Sequence, residues 1–131
     1  MTVTVRSVTV SEGRTVVTWA LRWDDPGAAD GASASLDDFI KVAPPVLVDG
    51  TALKYYYPLC NSDYHKGVLA QQNCSFYALY SPRTLQGPDL TNHQTMEAWA
   101  IFPEVGKDTA TVDLSLASGL PAFAALPVTR P

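Results

Sequence analysis

The sequence predicts an all-β fold: one domain over residues 1–131, built as a sandwich of about seven or eight short antiparallel strands. Three observations carry this. Apolar residues recur with a period of two almost throughout, turn signals separate the runs, and no segment has the 3.6-residue period of an amphipathic helix. A chain of 131 residues, 47% apolar and 17% charged, is long and apolar enough for one core.

The first strand is expected over residues 2–10. Val3 and Val5 share one face while Val8 and Val10 fall on the other, and this phase change predicts a bulge near Arg6 and Ser7. Glu12-Gly13 then reads as a turn. Residues 15–23 form the second strand, with Val17, Trp19, Leu21 and Trp23 inward. Residues 24–35 are loop, and Ser35 with the acidic residues behind it reads as the cap of one helical turn. Asp49-Gly50 is a hairpin signal between strands over 46–48 and 51–57. Residues 58–73 and 81–95 are long loops flanking a strand over 75–80. Strands follow over 96–102 and, after a turn at Gly106-Lys107, over 109–116 with Val112, Leu114 and Leu116 inward. Residues 125–129 read as a last short strand. Trp19, Trp23, Trp99, Tyr55, Tyr57 and Phe102 are assigned to the core, and Tyr56, Tyr64 and Tyr77 to the surface.

A net charge of −4 and a pI near 4.9 argue against nucleic acid and anionic membranes as partners, because both require a cationic face. No run of about 18 apolar residues is present, so no transmembrane segment is expected. The opening MTVTV is strand-like rather than a signal peptide; if the protein is exported, its leader is absent from this chain.

The order of elements resembles the telokin-like, immunoglobulin-like domain of exported bacterial lipoproteins and cell-envelope proteins. The likeness rests on VVTWALRW at 16–23, LVDGTALKYYY at 47–57, and AWAIFP at 98–103 followed by ATVDLSL at 110–116. It covers most of the chain by patterning; the loops at 60–74 and 81–95 are longer than that family's core needs. The resemblance implies an immunoglobulin-like sandwich and a binding or scaffold module with no catalytic residues.

Cys60 and Cys74 flank one polar loop, which favours a disulfide in an oxidising compartment, with roughly 3 kcal/mol of loop entropy removed from the unfolded state. A rival reading takes Cys60, His65, Cys74 and His93 as metal ligands, but zinc fingers and ribbons need closer ligand pairs, and no metal or cofactor is expected. A calcium loop at Asp24, Asp25 and Asp30 lacks the glycine and glutamate of an EF-hand. Asp63 and His65 have no nucleophile placed beside them, so no enzyme is expected. The expected function is a non-catalytic, extracytoplasmic interaction module of a bacterial envelope or secreted protein. It would bind an unidentified protein or envelope component through loops at one end, with Tyr64, His65, Lys66, Leu90 and His93 in contact. The alternative is a structural spacer or homodimer that pairs through an edge strand.

Overall fold

The computed structural model describes residues 1–39, 44–60, 78–82, 89–116 and 122–131. Among these residues the protein is all-β, without an α-helix, and its strand ladders are antiparallel. The ten strands among the described residues are β1 (Thr2–Ser11), β2 (Arg14–Arg22), β3 (Ser33–Ser35), β4 (Val46–Asp49), β5 (Lys54–Tyr56), β6 (Tyr80–Ser81), β7 (Asp89–Thr91), β8 (Thr95–Pro103), β9 (Thr111–Ser115) and β10 (Phe123–Pro127).

Two four-stranded sheets have the orders β1-β2-β8-β6 and β10-β9-β4-β5, and β3 pairs with β7 separately. One core cluster draws Val8, Val17, Trp19, Leu21 and Phe102 from the first sheet and Leu47, Val112 and Leu114 from the second. Burying such side chains between two layers contributes roughly 1.5–3 kcal/mol each.

The predicted bulge is present. The β1–β2 register shifts between Val5 and Ser7, which lets Val8 and Val10 turn to the core although they are out of phase with Val3 and Val5. Beyond the bulge, β1 reaches across to the chain after β10. Thr9 bridges Thr129 in parallel, with Val10 N donating to Thr129 O and Thr129 N to Val8 O, each at 2.9 Å. The Glu12-Gly13 turn has both residues at positive φ (54° and 78°), the geometry a two-residue hairpin with right-handed strand twist demands.

Three expectations are revised. The hairpin after β4 does not turn at Asp49-Gly50 alone: Asp49 pairs with Lys54, so residues 50–53 form a four-residue loop, and Leu53 takes a positive φ of 55°. The region around Ser35 adds strand β3 before a single 3-10 turn at Leu36–Asp38. Third, Tyr55 and Tyr57 are not core residues, being 66% and 62% exposed, and Trp99 is 39% exposed on β8. Tyr56, assigned to the surface, packs against the core instead. The cause is register: Tyr56 lies opposite the fully buried Leu47, so its strand neighbours face the other way. Tyr64 and Tyr77 lie outside the described residues.

Candidate functional site

Two polar anchors shape the ends of the molecule. The first is Asn92, only 1% exposed, in the turn between β7 and β8. Its Nδ2 faces the carbonyls of Asp25, Ala28 and Ala29 at 3.0–3.2 Å, and its Oδ1 accepts from Asp25 N at 2.9 Å. The side chain thereby supplies the hydrogen bonds that the 24–32 loop lacks as regular structure.

His93, next in sequence, has a positive φ of 66° and donates its backbone N–H to Trp23 O. Its Nδ1 lies 2.9 Å from Asp24 Oδ1 and its Nε2 3.4 Å from Asp30 Oδ1. Asp24 also receives Arg22 Nε at 2.9 Å. The hydrogen bond from His93, then that from Arg22, holds the Asp24 carboxyl below the usual carboxylate range. The Asp25 carboxylate accepts from Gly27 N at 2.8 Å. Thus, of the three aspartates considered as a calcium loop, Asp24 and Asp30 flank the same His93 ring while Asp25 is turned to a backbone amide.

The second anchor is Asp49, buried at the end of β4. Thr109 Oγ1 donates to its Oδ2 at 2.6 Å, while Thr51 N and Ala52 N donate to its Oδ1 at 3.1 and 3.2 Å. The Thr109 bond first, and the Ala52 amide next, lower its pKa. One carboxylate therefore ties the β4–β5 turn to the segment before β9. On that far side, Arg130 donates to the carbonyls of Thr109 and Gly106 at 2.8 and 2.6 Å.

A carboxyl whose folded pKa is depressed stabilises the fold above its unfolded pKa, and that contribution disappears as pH falls through the folded value. Asp49→Asn should therefore flatten the acid limb of stability. Between about pH 6 and about pH 3, the urea midpoint of the wild type should drop further than that of the variant. Parallel pH profiles would contradict the role given to Asp49.

The expected contact residues fare unevenly. Leu90, on β7, is 1% exposed and belongs to the core, so it is not a contact residue. Its neighbours Asp89 and Thr91 pair with β3 and turn it inward. His93 is partly exposed but engaged with Asp24 and Asp30. Tyr64, His65 and Lys66 lie outside the described residues, as do Asp63 and Cys74. Cys60 is described and forms an isolated antiparallel bridge with Ala78. Of the four metal-ligand candidates, only Cys60 and His93 are therefore placed. Among the described residues, no group of three or more His, Cys, Asp or Glu side chains is arranged to hold a metal ion. No helix among them is long and apolar enough to cross a membrane.

Among the described residues the most exposed large apolar side chains lie elsewhere, on β5 and at its two ends. Leu53 (82% exposed) in the turn before β5, Tyr55 on it and Tyr57 just after it alternate in sequence with Lys54 and Tyr56, and among the described residues β5 is the last strand in its sheet. Sequence reasoning passed over this stripe because aromatic residues at alternate positions read equally well as core. No family model matches this chain, and neither a curated protein nor a solved structure matches it.

Proposed function

We propose that this protein is a non-catalytic, extracytoplasmic interaction module of the immunoglobulin-like type, from a bacterial envelope or secreted protein, and that it makes its contact through the β5 edge. Support for the immunoglobulin-like reading comes from strand order. Taking β1, β2, β4, β5, β6, β8, β9 and β10 as A, B, C, C′, D, E, F and G, the two sheets read A-B-E-D and G-F-C-C′. The exported location goes with the disulfide proposed between Cys60 and Cys74. Cys60 is held beside Ala78, four residues beyond Cys74, and no free cysteine occurs among the described residues.

The observation that carries the functional reading is the exposed Tyr55 on an edge strand, flanked by the exposed Leu53 and Tyr57. An edge offers unpaired backbone groups, and proteins ordinarily blunt it with charge or proline; here it carries one lysine beside the exposed Tyr55, with Leu53 and Tyr57 exposed on either side of the strand. A second copy of this chain is the occupant that fits. Antiparallel pairing of two β5 strands centred on Tyr55 sets Tyr55 against itself and brings Leu53, in the turn before the strand, towards Tyr57, just after it, of the other copy. The same register puts each Lys54 opposite Tyr56, so the two cations do not meet. This contact area is the edge of the second sheet; residues 61–74, where contact was expected, lie outside the described residues.

The test is the double variant Tyr55→Ser/Tyr57→Ser. Both residues are exposed, so the thermal midpoint should hardly move, while the dimer dissociation constant from sedimentation should rise at least tenfold. A variant that self-associates as the wild type does would refute pairing through β5.

A further inference from the structure

We infer that the cleft between the β4–β5 turn and the segment leading into β9 is a binding site for an acidic saccharide. The cleft has a volume of about 350 Å³, and its walls include Thr51, Lys54, Tyr56, Lys107, Asp108 and Thr111. Its two sides are fixed to each other by the bond from Thr109 Oγ1 to Asp49. Arg130 braces the far side through the carbonyls of Gly106 and Thr109. A ligand entering it meets a preformed surface, which lowers the ordering cost of binding.

The charges are the distinguishing feature. The chain is acidic and has only four lysines, yet two of them line this one cleft. Every described arginine is engaged: Arg6 with Glu97, Arg14 with Glu12, Arg22 with Asp24, and Arg130 with the two carbonyls. Lys54 and Lys107 form no ion pair among the described residues, and Lys54 acts on Asp49 only through space. The Asp49 carboxylate is already satisfied by three donors, so it does not consume either ammonium.

Two free ammonium groups call for an anion. Asp108 disfavours a bare phosphate or sulfate but would accept hydrogen bonds from hydroxyl groups. The exposed Thr51 and Thr111 add hydroxyl partners, and the partly buried Tyr56 supplies an aromatic surface. A sugar carboxylate against the lysines, ring hydroxyls against Asp108 and the threonines, and an apolar ring face against Tyr56 would use every group. A uronic-acid oligosaccharide has that combination; a neutral sugar leaves the lysines unused.

The cleft shares Lys54 and Tyr56 with β5, while Lys107, Asp108 and Thr111 lie off that strand, so the two proposals need separate readouts. Trigalacturonate, maltotriose and inorganic phosphate would be titrated calorimetrically into the wild type and into Tyr55→Ser/Tyr57→Ser, so that the cleft and the edge are read separately. Trigalacturonate should bind saturably to both proteins, at least tenfold more tightly than maltotriose or phosphate. The exposed pair Lys54→Gln/Lys107→Gln should weaken it at least tenfold with an unchanged thermal midpoint. No binding, binding of maltotriose or phosphate as tight as trigalacturonate, or an unaffected lysine variant would overturn the proposal.

Discussion

Asn92→Ala should lower the free energy of unfolding by about 2–4 kcal/mol, measured by urea denaturation. The side chain is buried, and its loss strands Asp25 N and the carbonyl of Ala28, while the carbonyls of Asp25 and Ala29 keep only the turn bonds from Ala28 N and Ala32 N. Each buried group left unsatisfied costs about 1–3 kcal/mol, and partial access of water to the loop reduces the sum. The isosteric Asn92→Asp should do no better near neutral pH, since a carboxylate would face three carbonyl oxygens. A loss below about 0.5 kcal/mol for Asn92→Ala would mean that the 24–32 loop is held by other means.

Leu90→Ala should cost about 2–5 kcal/mol, the range for truncating a fully buried leucine. This outcome separates two roles that the sequence left undivided. An exposed contact residue would tolerate alanine within about 0.5 kcal/mol and lose only binding, whereas a core residue loses stability. Neighbouring His93 provides the contrast. Its ring is partly exposed between Asp24 and Asp30, and ion pairs at such exposure contribute little to stability.

Much of the architecture could be read from the order of residues. The bulge in β1 was visible as a change of phase between Val5 and Val8, because a period-two pattern cannot change face without an extra residue. The alternation in β9 likewise placed Val112 and Leu114 in the core. The β3–β7 pair was not visible. SAS and DLT are too short to establish a period, and their pairing depends on residues 54 or more apart in the chain.

The candidate site was less legible than the fold. Whether Tyr55 or Tyr56 faces inward is decided by the cross-strand partner, and only the pairing of Tyr56 with Leu47 reveals it. Asp49 read as a turn residue, yet its carboxylate also reaches Thr109, sixty positions away. Lys54 and Lys107 share a cleft for the same reason: the start of β5 and the turn before β9 that carry them meet only after β4 has paired with β9.

The central claim is that β5 is a self-complementary contact edge. Sedimentation equilibrium of the wild-type protein, from low micromolar to submillimolar concentration, tests it most directly. The account predicts a weight-average mass that rises from 14.1 kDa towards twice that value and goes no further, because isologous pairing of one edge closes on itself. A mass that stays at 14.1 kDa throughout would contradict it.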